Sequence, residues 1–266
     1  MQAGTLQMSD GKSIAWREAG DGIPLLFVHG WSLDSTIFDF QLATLSQRYR
    51  VICPDLRGHG LSDADAGATI DRLTRDLDEL TTHLALDGAI AVGWSLGAML
   101  LWQMLAGRRD HAIAGLVSVD MSPMIHNEGD WELGLNDGRD HAATSGSARH
   151  MTANWPHMVS QFIPRIFSAD FAAANTTLTD RLVAIARRNH VASLAAIWRS
   201  MADADLRESL KTIQVPALVS FGRHSQLYRA DTARFVANAI PDSDITEFTR
   251  SGHAPHIEEP DRFNET

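Results

Sequence analysis

Short apolar runs alternate with longer amphipathic stretches along most of the chain. A polar turn at Ser9-Asp10-Gly11-Lys12 joins two short alternating runs and predicts an amino-terminal hairpin. Six later runs predict strands, at residues 25–28, 50–53, 89–92, 115–119, 217–221 and 244–248. Helical patterns fill most of the intervals. The sequence therefore predicts an α/β fold, with a mostly parallel, twisted sheet of eight strands and helices on both of its faces.

The alternation stops between residues 122 and 214. This segment is far longer than an ordinary connection between two strands, and it contains helical patterns at 178–189 and 193–202. It is also rich in tryptophan, methionine and phenylalanine. We therefore expect a helical insertion at 122–214, with residues 1–121 and 215–266 forming the core of the fold.

The motif Gly93-Trp94-Ser95-Leu96-Gly97 follows a strand pattern and precedes an apolar helical pattern at 96–106. A strand, a sharp turn and a helix are the context that the G-x-S-x-G nucleophile elbow requires. A serine in such a strained turn leaves no room for side chains beside it, which explains a glycine on each flank. The motif therefore predicts that Ser95 is a nucleophile.

Three more motifs accompany the elbow. They are His29-Gly30-Trp31 after an early strand, Asp55-Leu56-Arg57-Gly58-His59-Gly60 after the next, and Gly252-His253-Ala254-Pro255-His256 near the end. In this order, and over nearly the whole chain, the motifs resemble those of the α/β-hydrolase superfamily, in particular its serine esterases. The resemblance implies that the insertion at 122–214 is a helical cap above the active site, whose large apolar residues would suit an acyl or aromatic substrate.

A serine hydroxyl needs a general base within hydrogen-bond reach, and the base needs an acid that fixes its tautomer. His253 is the predicted base, because it follows the last strand and comes after the serine, as in the family. His256, three residues on, is expected to lie outside the triad.

The acid departs from the common family pattern. Relatives usually carry an aspartate where this chain has Ser225, and Arg223-His224-Ser225 offers no carboxylate. Asp120, at the end of the strand at 115–119, is the predicted replacement, since certain haloalkane dehalogenases and the cofactor-free quinolone dioxygenases carry their acid at this strand end. The alternative is that Asp120 only caps the turn into Ser122-Pro123. Asp231 and Asp242 are weaker candidates, because a helix start and a turn explain them.

Acyl transfer also needs backbone N–H donors for the developing oxyanion. The resemblance assigns them to Leu96, which follows the nucleophile, and to Trp31. His29, Gly30 and Trp94 are expected at the substrate pocket, with the Trp94 and Trp31 side chains as aromatic walls and His29 mainly supporting its loop.

Composition narrows the possible partners. The 266 residues are 44% hydrophobic and carry a formal net charge of −10, so no concentrated basic surface for nucleic acid is expected. The single cysteine, Cys53, cannot form an internal disulfide. No cluster has metal-ligand spacing and no glycine-rich loop fits a phosphate, so we predict no cofactor and no metal.

The amino terminus lacks a secretory pattern, and no apolar run approaches the length needed to span a membrane, so a cytoplasmic enzyme without a membrane partner is expected. The last residues, 260–266, stop where the resembled proteins usually continue into an apolar helix, which suggests a trimmed sequence. The oligomeric state stays open.

The resulting hypothesis is a serine hydrolase that cleaves a small carboxylic ester or related acyl compound through an acyl-enzyme. The pairing of HGW with GWSLG is similar to that of small esterases of the carrier-protein methyl-ester type. A C–C bond hydrolase, a cofactor-free dioxygenase acting on an aromatic substrate with His253 as base, and a non-catalytic small-molecule receptor remain alternatives. Haloalkane dehalogenases and epoxide hydrolases are disfavoured, because their nucleophile is a carboxylate and Ser95 occupies that position.

Overall fold

A computed structural model describes residues 1–108 and 112–266. The described part contains one eight-stranded sheet in the order β1-β2-β4-β3-β5-β6-β7-β8. The β1–β2 and β2–β4 pairs are antiparallel and the remaining pairs are parallel. The strands are β1 Gln2–Gln7, β2 Ser13–Ala19, β3 Pro24–Val28, β4 Arg50–Pro54, β5 Ala89–Trp94, β6 Ile113–Val119, β7 Ala217–Gly222 and β8 Ser243–Phe248. The predicted α/β fold with a mostly parallel sheet is confirmed.

The helices between the strands follow the predicted order. They are α1 Asp39–Leu45, α2 Ile70–His83, α3 Leu96–Leu105, α4 His141–Phe162, α5 Ala169–Ala174, α6 Thr176–Arg188, α7 Val191–Ala202, α8 Arg207–Leu210, α9 Ala230–Ala239, α10 Pro255–Glu258 and α11 Pro260–Glu265. Within the described residues, none is long and apolar enough to cross a membrane.

The sequence predicts one helical stretch at residues 36–45, and the structure differs there. A 3-10 turn, Ser35–Phe38, precedes the helix. The Asp34 side chain accepts a hydrogen bond from the Thr36 N–H at 3.0 Å, which stabilises the start of this tighter turn. Local capping therefore splits the predicted helix into two pieces.

The segment between β6 and β7 carries helices α4 to α8. Inside α4, Asn154 has non-helical backbone angles (φ −125°, ψ 17°) two residues before Pro156, and the helix bends there because proline cannot continue the hydrogen-bond ladder. Buried side chains of α4 and α7, such as Trp155 and Ile197, belong to the same apolar cluster as the strands of the sheet. The insertion thus shares a continuous core with the sheet, and the division into a core and a cap at 122–214 stays a prediction.

Polar contacts fix the insertion over the carboxyl end of the sheet. The Ser193 hydroxyl accepts from the Asp65 N–H at 2.8 Å, and the Ser200 hydroxyl accepts from the Ile70 N–H at 3.0 Å. The Asn189 carboxamide accepts from Gly60 and donates to the Ser32 carbonyl at 2.7 Å. These bonds join α7 and the residues before it to the loops that follow β3 and β4. The loop after β3 carries His29, Gly30 and Trp31.

Candidate active site

The turn between β5 and α3 has the geometry of a nucleophile elbow. Ser95 adopts φ 55° and ψ −120°, a conformation that a residue with a side chain enters only under constraint. Its N–H donates to the Val119 carbonyl at 3.0 Å, which ties the turn to β6. Ser95 is partly exposed while its neighbours on both sides are buried. The fold therefore presents this serine at the surface of the site.

The two flanking glycines are sterically required. A Cβ on Gly93 would lie 2.6 Å from the Ala98 nitrogen, and a Cβ on Gly97 would lie 2.1 Å from the Val28 carbonyl oxygen. Both contacts are with backbone, which cannot move aside as a side-chain tip can. The explanation of the glycines from the sequence agrees with this packing.

His253 and Asp120 meet at the carboxyl ends of β8 and β6. His253 Nδ1 lies 2.7 Å from Asp120 Oδ2, and both side chains are 2% exposed. Because Nδ1 faces a carboxylate, we assign the proton of a neutral His253 to this nitrogen, which leaves Nε2 as the basic atom. In the described part, the Asp120 side chain makes no hydrogen bond to its own turn. The geometry is that of a histidine oriented by an acid.

Asp120 is buried, and its backbone is strained. Burial raises the pKa of this carboxyl group, while the hydrogen bonds from His253 and Ser225 oppose the rise. The backbone of Asp120 has φ 44°, and its N–H donates to the Ser220 carbonyl at 2.8 Å. This bond to β7 fixes the backbone of Asp120 and therefore helps to position its carboxylate.

Ser225 contacts the same carboxylate. Its hydroxyl donates to Asp120 Oδ2 at 2.6 Å, so the residue at the usual position of the family's acid contacts Asp120, its predicted replacement. In the sequence, Ser225 stands out only for the missing carboxylate. The contact itself depends on how β6 and β7 pair, which no local motif reveals.

Trp94 connects the nucleophile and the histidine. Its indole Nε1 donates to the His253 carbonyl at 2.7 Å, and the two rings lie 5.3 Å apart. On the other side the indole packs against His256 at 5.0 Å. The sequence placed Trp94 in the pocket wall, but the structure places its buried ring against the loop that carries His253, because β5 directs it there.

The Ser95 hydroxyl is within hydrogen-bond range of one described atom, Met121 Sδ at 3.8 Å. Among the described residues, no hydrogen bond joins the Ser95 hydroxyl to His253. Bonds of this kind are often long or misaligned before substrate binds, so the arrangement is compatible with catalysis. Tyr228 OH also lies 3.3 Å from Met121 Sδ, which brings this thioether to the centre of the site.

The loop at residues 29–31 lies directly against the elbow. A Cβ on Gly30 would be 3.2 Å from Ser95 Cβ and 2.9 Å from the Trp94 ring, so only glycine allows this approach. Leu96 is the first residue of α3, and its N–H has no acceptor inside the helix. Leu96 and Trp31 thus come from the two segments that meet at Ser95, as an oxyanion hole requires.

His29 supports this loop and does not reach into the site. Its Nε2 accepts from the Leu56 N–H at 2.9 Å, and Nδ1 faces the Gly30 carbonyl at 2.8 Å. Burial lowers the pKa of the ring, which favours the neutral form that such a pair of bonds needs. The supporting role expected of His29 stays a prediction.

The structure buries His256, which the sequence predicts to lie outside the triad. Its ring is fully buried, 5.0 Å from Phe38, and neither ring nitrogen has a hydrogen-bond partner among the described residues. Burial, together with the nearby His253, lowers the pKa of His256 to about 3. A neutral ring in an apolar cluster is a packing element.

A cavity of about 340 Å³ opens between Trp31 and the inserted helices. The Trp31 ring meets those of Trp155 at 5.5 Å, Phe162 at 5.6 Å and Trp198 at 4.9 Å. In the sequence these three residues of the insertion stand out as large apolar side chains, and none of them is predicted at the site. Their convergence on Trp31 is a tertiary feature that local patterns do not carry.

No group of three or more potential metal ligands occurs within residues 1–108 and 112–266. Cys53 is buried in β4, and burial raises the pKa of its thiol to about 12. The thiol is therefore protonated and unreactive at neutral pH.

Comparisons with known proteins identify the family of this fold. The model of the "Alpha/beta hydrolase family" matches residues 25–266. A pimeloyl-[acyl-carrier protein] methyl ester esterase from Vibrio cholerae is 27% identical over 252 residues, covering 94% of this chain and 95% of that protein. Among solved structures, an esterase from Exiguobacterium antarcticum has a TM-score of 0.89 at 23% identity, covering 98% of this chain and 96% of its own. The enol-lactonase from Burkholderia xenovorans LB400 has a TM-score of 0.84 at 25% identity, covering 98% and 97%.

The chain belongs to the α/β-hydrolase family. The class of enzyme that these comparisons support is a carboxylic ester hydrolase, in agreement with the class predicted from the sequence.

Proposed function

We propose that the protein cleaves a small carboxylic ester through an acyl-enzyme on Ser95, with His253 as the general base and Asp120 as the acid of the triad. The observation that carries the proposal is the 2.7 Å contact between His253 Nδ1 and Asp120 Oδ2 beside the elbow. The Asp120 carboxylate supplies the negative charge that the Ser225 hydroxyl cannot provide.

The reaction follows from the positions of these groups. Ser95 Oγ attacks the ester carbonyl carbon while its proton passes to His253 Nε2, and Asp120 stabilises the resulting imidazolium. The carbonyl oxygen becomes negative and accepts from the N–H groups of Trp31 and Leu96, each worth roughly 3 kcal/mol of barrier in comparable sites. His253 then protonates the leaving alkoxide, and water activated by the same histidine releases the acid and restores Ser95.

The cavity above Trp31 supports an apolar acyl or aromatic group in the substrate. The indole N–H groups of three wall residues are already bound to carbonyls at 2.9–3.1 Å; these residues are Trp31, Trp155 and Trp198. The rings therefore offer carbon surface and no free polar atom to the cavity. A volume of about 340 Å³ suits a small molecule. The Vibrio cholerae relative acts on a methyl ester of an acyl chain, which is consistent with this class of substrate.

The experiment compares hydrolysis of p-nitrophenyl acetate, hexanoate and benzoate by the parent protein and by Ser95→Ala and Asp120→Asn. We expect no measurable burst or turnover above background in Ser95→Ala, and a loss of up to about 10⁴-fold in kcat in Asp120→Asn. Asp231→Asn is the matched control, because it removes a carboxylate that is 68% exposed and paired with Arg234.

Parent-like turnover in Asp120→Asn would contradict the assignment of the acid. Ester turnover that survives in Ser95→Ala would contradict the acyl-enzyme. Oxygen uptake with an aromatic substrate that persists in Ser95→Ala would instead support the dioxygenase alternative.

A further inference from the structure

Ser225 and His253 bind a single oxygen of the buried acid. Asp120 Oδ2 accepts from the Ser225 hydroxyl at 2.6 Å and faces His253 Nδ1 at 2.7 Å. In the described part of the chain, the hydrogen bonds that the Asp120 side chain accepts come from these two residues. The carboxylate is 2% exposed, so their geometry decides its orientation.

The turn after β7 aims the Ser225 hydroxyl at the acid. Ser225 Oγ accepts from the backbone N–H groups of Leu227 at 3.4 Å and Tyr228 at 3.3 Å. A hydroxyl has one proton and two acceptor sites, so these two donors leave its proton for Asp120. The bond to Asp120 is therefore built into the local backbone.

We propose that Ser225 is a positioning residue of the triad, whose hydroxyl holds the Asp120 carboxylate with Oδ2 directed at His253. The inference rests on the proposed function and adds a residue that orients the acid of its triad. The end of β6 supplies the carboxylate, and the turn after β7 supplies the hydroxyl that orients it.

Loss of this hydroxyl should weaken catalysis. The carboxylate would be free to rotate away from His253, so the imidazolium would lose part of its stabilisation and kcat would fall. Other titratable groups face this pair, namely Tyr228, whose ring is 5.7 Å from that of His253, and His256 from α10. Neither residue is changed in the variants that test the proposal.

The first test measures kcat/KM against pH for Ser225→Ala and Ser225→Thr with a p-nitrophenyl ester. We expect a loss of about 10-fold in Ser225→Ala, because a hydrogen bond to a charged group is lost. Ser225→Thr retains the hydroxyl and should recover most of the activity. Ser243→Ala is the matched control, since it removes a hydroxyl bonded to the Ala237 carbonyl at 2.6 Å, outside the site.

A double-mutant cycle separates this role from a structural one. If Ser225 acts through the carboxylate, adding Ser225→Ala to Asp120→Asn should change kcat/KM by less than about 2-fold. An equal loss in both backgrounds would overturn the proposal, because the serine would then only support the turn. Thermal melts of all variants show whether each one is folded.

Moving the carboxylate from position 120 to position 225 tests whether the two positions act on the same histidine. Ser225 Oγ and His253 Nδ1 are no further apart than the sum of their distances to Asp120 Oδ2, so a carboxylate at position 225 is within reach of the histidine. We expect Asp120→Asn/Ser225→Asp to be at least 10-fold more active than Asp120→Asn alone. No gain in a folded double variant would count against the proposal.

The outcomes distinguish this inference from the proposed function. A severe loss in Asp120→Asn with parent-like rates and pH profile in Ser225→Ala would reject the role of Ser225 alone. Parent-like rates in Asp120→Asn would reject the triad itself.

Discussion

Backbone strain is concentrated at the residues that carry the chemistry. Four non-glycine residues in the described part have positive φ, and three of them lie at the site: Ser32 beside Trp31, Ser95 at the elbow and Asp120 at the end of β6. Each such conformation costs of order 1–3 kcal/mol and persists only where the surroundings impose it. The strained positions thus mark the three loops that form the proposed oxyanion hole, nucleophile and acid.

The buried carboxylate of Asp120 predicts a pH-dependent penalty to stability. Because its pKa is raised in the folded state, folding is favoured by this group at pH values below its ordinary pKa. That contribution is lost as pH rises through the raised value. Asparagine cannot ionise, so the Tm of Asp120→Asn relative to the parent should become more positive between pH 4 and pH 8.

Thermal melts across this pH range provide the measurement. Asp231→Asn, which removes an exposed carboxylate, supplies the baseline for the loss of one charge. A Tm difference for Asp120→Asn that does not vary with pH would contradict the raised pKa.

At the scale of elements, the elbow depends on how closely α3 approaches β3. The Cβ position of Gly97 falls 2.1 Å from the Val28 carbonyl oxygen, so the helix and the strand leave no space for a methyl group. This contact fixes the distance between the start of α3 and the loop that carries Gly30 and Trp31. Elbow and oxyanion loop are therefore positioned by the same packing.

Gly97→Ala should consequently lose both stability and activity. Forcing a methyl group into this contact is expected to cost about 3 kcal/mol, or roughly 6–12 °C in Tm. Gly115→Ala is the matched control in β6, because the nearest atoms to its added Cβ would be 3.8 Å away. Equal melting temperatures for the two variants would show that the elbow tolerates expansion.

The inserted helices place their aromatic residues above Trp31. Trp198 of α7 packs on the Trp31 ring, and its indole donates to the Thr144 carbonyl of α4 at 2.9 Å, so one side chain joins both helices to the cavity wall. Removing the ring would enlarge the cavity and expose it to water.

Trp198→Ala should therefore raise KM for p-nitrophenyl hexanoate and benzoate by about 10-fold or more, because apolar contact area is lost. The effect on p-nitrophenyl acetate, whose acyl group is too small to fill the cavity, should be much smaller. Trp198→Phe retains a ring and serves as the control. A uniform effect on all three esters would place their acyl groups outside this cavity.

At the scale of the whole molecule, local patterns predicted the fold well. Apolar runs bounded by turns located the later strands to within about two residues, because a buried parallel strand needs such a run. The elbow was also predictable, because its two glycines are required by close contacts with residues a few positions away and with the neighbouring strand β3. The family follows from the same motifs.

The contacts of Asp120 and the residues that line the cavity were harder to predict from the sequence. Asp120 was predicted from its strand end, whereas its bond to Ser225 depends on two loops 105 residues apart. Trp94 was expected in the pocket, but its ring faces His253, because a local motif does not fix which side of a turn a side chain takes. The aromatic wall above Trp31 arises from helices far along the chain, and periodicity alone does not separate such residues from ordinary core.

The central claim, that Ser95 is an activated nucleophile served by His253 and Asp120, is tested most directly by reaction with a fluorophosphonate. Intact mass and peptide mapping of the folded protein report the site and number of adducts. We predict one adduct, on Ser95, formed quickly in the parent, much more slowly in Asp120→Asn and not at all in Ser95→Ala. A folded parent protein that forms no adduct, or forms it equally fast in Asp120→Asn, would contradict the account.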